Sequence, residues 1–512
     1  MAAATLSSSA GHRVIIGGLG HNSSICMANL NLKSGHLSIT DSWAKAAGPS
    51  PAFMAWSSSD SSTSPVRNIV IANHAGNNGE AITSVQLYPP YAKRSASVRT
   101  DDPCHIGLHP SGRWAATASY DAGTIGIVEL LPAPQAAAVE VSRTSPAAAM
   151  LLDEQQQQQQ QEEGVFLPAE LQLSSVTTYP TELVGEAAHE AKFSPDGTLL
   201  YVPCLKSDWV RMFKFDAETG KLTPHSYPAA AAAGPGHPSG QVPAASQGSA
   251  NPAAELAAAA ANLGAGSSND SNGTAALAAA GQGSSGSSGS SSGDNRARLP
   301  PGSGPRHIIF HPRLPVAYVL NELSSTIARF DWDGSSSSSS GLLTADFDQE
   351  PDRIVSMLPP GTSAEPVCVK YGMTVVAGSN PPGDIACTEL CRPYGGAELA
   401  LSNDGRFLYA SNRGLCEGTP AAGKSSIVAF AVDQASGALT ALDWKFGGGD
   451  VQHPRHFSLT PDEASAFLLV ANMHGESVTV FRRDASSGLL SKVGTVSTAD
   501  SSVVQPAFVA VI

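Results

Sequence analysis

The stretch GPRHIIFHPRLPVAYVLNELSSTIARFDWD, Gly304 to Asp333, decides how this chain folds. Two short apolar runs flank the tight turn at His311-Pro312, a polar break follows Asn321, and a third run begins at Thr326. Short apolar runs punctuated by such turns mark antiparallel strands, because a strand's side chains point alternately to its two faces. The same grammar returns in HIGLHPSGRWAATASY (His105 to Tyr120), HEAKFSPDGTLLYVPCL (His189 to Leu205), ELALSNDGRFLYASNR (Glu398 to Arg413) and HFSLTPDEASAFLLVANM (His456 to Met473). A weaker copy runs from PAFMAWSSS (Pro51 to Ser59) to IVIANH (Ile69 to His74).

An outer pair of strands recurs as well, in VRMFKFDAETGKLTP (Val210 to Pro224), IVAFAVDQASGALT (Ile427 to Thr440) and VTVFRRDASSGLLSKV (Val478 to Val493). Each copy is therefore one four-stranded antiparallel unit that buries its faces only against its neighbours. Outer strands without an inner partner open the chain (Arg13 to Ile39), and an inner strand without outer partners, PAFVAVI (Pro506 to Ile512), ends it. Letting the last strand complete the first unit gives an all-β, seven-bladed β-propeller over residues 12–512, a single domain closed by its own ends.

Low-complexity tracts interrupt the spacing at about 135–165, 229–298 and 335–340, rich in Gln, Ala, Gly and Ser. Tracts this poor in apolar side chains cannot offset the entropy of ordering, and they are expected as disordered loops on the propeller.

The 512 residues are 42% hydrophobic and 14% charged, with a net charge of −14 and a pI near 5.4. That balance lacks the basic patch that nucleic acid or an anionic membrane surface calls for, and it points to a small-molecule partner and a monomer. No apolar run of about 18 residues is present, so nothing reads as a membrane-spanning helix. The N-terminus reaches the alternation at Val14 to Ile16 too soon for a signal peptide, and a cytosolic location is expected. Seven scattered cysteines without a CxxC pair argue against a disulfide framework. Cys387 and Cys391 lack the further ligands a zinc site needs, so no metal and no cofactor is expected. Dinucleotide, P-loop, zincin and GxSxG signatures are absent too.

In a propeller blade the start of the first strand and the end of the second share one face. Counting back from the first turn reaches Cys104, His189, Arg306, Ala397 and Arg455; counting forward reaches His74, Tyr120, Leu205, Glu322, Arg413 and Met473. Consecutive blades thus bring His189, Arg306, Glu322 and Arg413 to one rim, where small or apolar residues fill several of the equivalent slots. A base, a carboxylate and two guanidiniums suit attack of water on an ester carbonyl, which needs proton removal and stabilisation of an oxyanion. Glu322 as base with His189 as acid or binding group is slightly favoured, the opposite assignment standing close behind. Arg455, His74, Tyr120, His307, Glu398 and His456 are secondary candidates, with Arg455 first, as a phosphate contact. His307 and His456 have the opposite strand parity from Arg306 and Arg455 and are expected to pack between blades.

The strings GPRHIIFHP, YVLNELSS, FSPDGTLLYVP and DGRFLYASNR resemble the lactonase family of seven-bladed propellers, which includes propeller-type 6-phosphogluconolactonases and carboxy-cis,cis-muconate lactonising enzymes. The resemblance covers all blades outside the inserted tracts. It implies binding and catalytic roles at the matched positions His189, Arg306, Glu322 and Arg413, and a phosphorylated sugar lactone, 6-phospho-D-glucono-1,5-lactone, as substrate. His74, where relatives often carry a carboxylate, and Cys204 in the YVP string depart from the pattern. Lactonising chemistry on a dicarboxylic acid is the alternative, and a non-catalytic propeller scaffold the alternative from another class.

Overall fold

The computed structural model describes residues 12–19, 24–43, 46–56, 67–74, 81–88, 91–132, 171–181, 186–225, 296–334, 340–368, 373–374, 390–416, 423–447 and 450–512. They form a seven-bladed β-propeller of antiparallel, mainly four-stranded blades. The innermost strands of blades 2 to 7 are Pro51–Trp56, Pro103–Leu108, Lys192–Phe193, Pro305–Phe310, Tyr394–Leu401 and Pro454–Leu459. In blade 1 the C-terminal strand Pro506–Val511 is innermost and pairs with His12–Gly18, Val14 opposite Val511 and Gly17 opposite Phe508. A three-stranded sheet of Val367–Cys368, Met373–Thr374 and Leu390–Cys391 lies between blades 5 and 6 in the chain order. The single helical element among the described residues is the 3-10 turn Pro351–Arg353.

Seven apolar clusters hold the ring together, one at each junction between neighbouring blades. The cluster between blades 7 and 1 joins Phe467, Leu469 and Val480 to Val14, Cys26 and Val509, so the strand that closes the circle is buried on both faces. Both faces of a second strand such as Val316–Asn321 are buried in the same way. Its run of apolar residues follows from that sandwiching.

The Asp-x-x-x-Gly turns of blades 6 and 7 lock each of these blades to the one before. In them the Asp433 carboxylate accepts the Ala435 and Ser436 amides at 3.1 and 2.8 Å, and Gly437 takes a φ of 71°. The freed Gly437 carbonyl then accepts the Tyr318 hydroxyl of the preceding blade at 2.7 Å, and Gly488 does the same for Tyr409 at 2.6 Å. A Cβ on Gly437 would stand 2.9 Å from Val316 Cγ2 and 3.1 Å from the Tyr318 hydroxyl, so both the conformation and the close approach call for glycine.

Two expectations about inserted tracts need comment. Most of the tracts at 135–165, 229–298 and 335–340 lie outside the described residues. The end of the second does not belong to an insertion: Arg296–Arg298 is a strand paired with Trp209 to Arg211 of blade 4. Its two arginines stack over the Trp209 ring at 3.5 and 4.7 Å, a cation–π contact that a composition-based boundary does not register.

Closure predicts a specific sensitivity. Phe508 is buried against Phe53 of blade 2 and His456 of blade 7, with ring centroids 5.0 and 4.4 Å away. Phe508→Ala should lower the unfolding free energy by about 3–5 kcal/mol, measured by urea denaturation.

Candidate active site

Two local devices set the rim. The first is a β-bulge at the start of each inner strand: in blade 5 the pairing slips between Pro305 and His307, and in blade 7 between Pro454 and His456. Bulges re-aim side chains, and here two consecutive residues, Arg306 with His307 and Arg455 with His456, both turn to the channel. The second is the buried asparagine that ends the second strand. Asn73, Asn321 and Asn472 donate through Nδ2 to Thr83, Thr326 and Thr479, and Asn412 to the Met357 carbonyl, at 2.8 to 3.0 Å. Each anchors the residue that follows: His74, Glu322, Met473 and Arg413.

Of the four residues expected together at the rim, Arg306, Glu322 and Arg413 are in contact, and His189 lies close enough to feel the charges of both arginines. Glu322 Oε2 lies 3.0 Å from Arg306 Nε and Glu322 Oε1 lies 2.7 Å from Arg413 Nη2. Arg306 donates further to the Ala397 carbonyl and Arg413 to the Gly396 carbonyl. The space for this comes from Gly395, where a Cβ would sit 3.2 Å from Arg413 Nη2 and 3.7 Å from Glu322 Cγ. Burial pushes the Glu322 carboxyl up, but Arg413 and Arg306 outweigh it and hold the carboxyl below the usual carboxylate range. His189 is buried, and its Nδ1 has no hydrogen-bond partner among the described residues. Burial first, then Arg306, Arg455 and Arg413, lowers its pKa well below that of a free imidazole, so the ring is neutral at pH 7.

The secondary candidates divide. Tyr120 stands edge-on to His189 with ring centroids 5.9 Å apart, and burial together with the Glu322 charge pushes its phenol up to about 12. Arg455 has no carboxylate within ion-pair distance among the described residues. Burial and the charges of Arg306 and Arg413 bring its guanidinium down to about 9. His74 instead faces Asp102, with Nδ1 3.2 Å from Oδ2. Cys104 fills the slot equivalent to Arg306 in blade 3; burial pushes its thiol up to about 11, which leaves it protonated and a poor nucleophile.

His307 and His456 do not pack between blades. His307 lies 5.9 Å from His105 of blade 3 and 5.4 Å from His189 of blade 4, and Phe53 of blade 2 lies 5.4 Å from His456 of blade 7, ring to ring. Blades 3 and 5 are not neighbours in the ring, nor are blades 2 and 7, so these contacts run across the central channel. Parity counting misplaced the two histidines because the bulge resets it.

Several neighbours of the site carry no repeat signature. Cys391 and Cys416 form a disulfide with Cα atoms 5.9 Å apart, whereas the sequence reading expected no disulfide framework. It ties the loop bearing Arg392 to the strand bearing Arg413, and Arg392 Nη1 donates to the Leu323 carbonyl, beside Glu322, at 2.7 Å. Next to Arg413 a cavity of about 620 Å³ opens between blades 6 and 7, its charged and imidazole lining being Lys424, His453 and His474. Among the described residues no group of three or more His, Cys, Asp or Glu is arranged to hold a metal ion, and no helix is long and apolar enough to cross a membrane.

A rim of this kind on seven blades invites comparison with known proteins. The 6-phosphogluconolactonase of Formosa agariphila is 30% identical over 196 residues, 38% of this chain and 41% of that one. The 6-phosphogluconolactonase of Bacillus subtilis is 26% identical over 190 residues, 37% of this chain and 40% of that one. The chain thus spans about 40% of the length of the curated relatives it matches. The periplasmic gluconolactonase of Pseudomonas aeruginosa superposes with a TM-score of 0.57 over 98% of this chain and 99% of that one, at 18% identity, a likeness of fold. The family model described as lactonase, 7-bladed beta-propeller, matches residues 13–239 and 285–508, and with the closed seven-bladed ring this places the chain in the lactonase family of seven-bladed β-propellers.

Proposed function

We propose that the mouth of the channel hydrolyses a phosphorylated sugar lactone, 6-phospho-D-glucono-1,5-lactone, to 6-phosphogluconate. The observation that carries the reading is the cluster itself: two arginines pair with one carboxylate, the Arg455 charge acts on all three, and beside them stands a neutral histidine whose Nδ1 is unpartnered among the described residues. The relatives named 6-phosphogluconolactonase supply the particular lactone.

The geometry supports His189 rather than Glu322 as the base, the reverse of the assignment favoured on sequence. Each Glu322 oxygen already faces a guanidinium, so its lone pairs are engaged, whereas His189 Nδ1 is unpartnered among the described residues. Glu322 then serves to hold the two guanidiniums in register. In the cycle, His189 takes a proton from water while the water oxygen attacks the lactone carbonyl. The oxyanion is held by Arg306 or Arg413. As the intermediate collapses, the bond from the carbonyl carbon to the ring oxygen breaks and the imidazolium returns its proton to that oxygen. The new carboxyl group ionises to complete the balance.

Arg455, without a carboxylate within ion-pair distance among the described residues, and Lys424 in the cavity beside His453 supply positive charge for the phosphate. A dicarboxylic acid would use the same arginines, and parallel assays on the two substrates separate the readings. A pathway enzyme of this kind works in the cytosol; the Cys391–Cys416 disulfide pulls toward an oxidising compartment. Alkylation of free thiols in intact cells would show whether the pair is oxidised there.

His189→Ala should cut kcat for the phosphorylated lactone by at least about a hundredfold, after correction for spontaneous hydrolysis. Unchanged kcat would remove His189 from the chemistry. Arg455→Ala should raise KM for the phosphorylated lactone by about ten- to a hundredfold, the worth of one charge-assisted contact, and leave the unphosphorylated lactone nearly unaffected. Equal effects on both lactones would place the phosphate elsewhere.

A further inference from the structure

Below the rim, the channel is crossed by a second ring of equivalent positions: Phe53, His105, Glu190, His307, Glu398, His456 and Phe508, one from each blade. The five ionisable members are all buried. They alternate, and each histidine faces a carboxylate. His105 Nε2 is 3.6 Å from Glu190 Oε1, and His307 Nδ1 is 3.9 Å from Glu190 Oε2 and 3.5 Å from Glu398 Oε1. His456 Nε2 is 3.6 Å from Glu398 Oε2.

Backbone contacts assign the protons. The amides of Ala191 and Val509 donate to Nδ1 of His105 and of His456, both at 3.4 Å. Each of these rings therefore carries its proton on Nε2, toward a glutamate. The carboxylates are held too: Glu190 Oε2 accepts the Ile308 amide of the next blade at 2.6 Å, and Glu398 Oε1 accepts the Leu399 amide at 3.0 Å.

This belt and the rim share their backbone. Glu190 directly follows His189, His307 directly follows Arg306, and Glu190 grips the amide next to His307. The His307 ring also packs 5.4 Å from that of His189. We propose that Glu190 is a positioning residue for the lactone-opening site, and that the His/Glu belt it belongs to is a proton-sharing unit whose charge governs how readily His189 accepts a proton. This rests on the function proposed above.

Each belt glutamate faces several charged and polar groups. The groups facing Glu190 are His105, His307, the Ile308 amide, Lys192 at 4.0 Å and the Arg306 charge; those facing Glu398 are His307, His456, the Leu399 amide, Arg306, Lys192 and, across the belt, Glu190. Burial outweighs these cations and raises Glu190 to about 7 and Glu398 to about 8. Burial likewise lowers His105 and His307 well below the free imidazole and His456 to about 3, so the carboxyls, not the imidazoles, exchange protons near neutrality. The sign follows directly. Above its pKa Glu190 is negative and stabilises an imidazolium at His189; as pH falls through about 7 it is neutralised and His189 becomes the weaker base.

The test compares wild type with Glu190→Gln and Glu398→Gln, since Gln keeps an acceptor for the backbone amide and cannot titrate. Infrared spectra from pH 6 to 9 should show buried neutral carboxyl groups in wild type that ionise over this range, with part of the band lost in each variant. In the lactone assay Glu190→Gln should lower kcat by about tenfold at pH 8, the effect of about one pKa unit on the base, with KM little changed. Its kcat should also lose the wild-type decline between pH 8 and 6. A merely structural contact would change stability and leave the shape of the pH profile as in wild type, and that result overturns the proposal. Carboxyl groups fully ionised from pH 6 to 9 in wild type overturn it as well, whatever the activity. If the infrared titration is found but wild type opens no lactone, the functional reading fails and the positioning role falls with it, the belt's proton sharing alone being upheld.

Discussion

Pairing of Pro506–Val511 with His12–Gly18 is the contact on which the rest depends, because it turns a row of blades into a circle. A closed circle leaves only short, protected sheet edges and forces seven inner strands toward one axis. Every blade then has two neighbours, so a single apolar grammar can be buried seven times over. The same convergence crowds polar residues of distant blades into a narrow, poorly hydrated channel.

In that channel a charge must be matched or lost. At the rim it is matched: Glu322 between Arg306 and Arg413 stays ionised, while Arg455 has no carboxylate within ion-pair distance among the described residues. One layer down, where the contacts are longer and cations few, the glutamates move toward neutrality instead. Two layers separated by one residue of sequence thus have opposite electrostatic solutions. His189 stands at their junction, flanked by arginines on one side and by His307 on the other.

Much of this was legible in the chain. Strand period, turn residues and the unmatched strands at the two ends led to seven blades and to their closure, since those features are local. Register within a repeat also brought His189, Arg306, Glu322 and Arg413 to one face, because equivalent positions on neighbouring blades must be close. The belt escaped the same argument. Strict alternation sends His307 and His456 away from the channel, and only the bulge after Pro305 and Pro454 turns them back. Glu190 was passed over for a related reason, lying next to a residue already assigned. The Cys391–Cys416 pair and the Lys424, His453 and His474 cavity depend on loops that obey no repeat.

The sequence by itself determined the architecture and the chemical types gathered at the mouth, because repetition and strand periodicity are carried by nearest neighbours along the chain. Tertiary structure alone decided the roles. Which nitrogen of His189 is left unpartnered, which arginine is left without a carboxylate and which glutamates hold protons are set by burial and by distances between blades. Those distances exist only once the circle has closed.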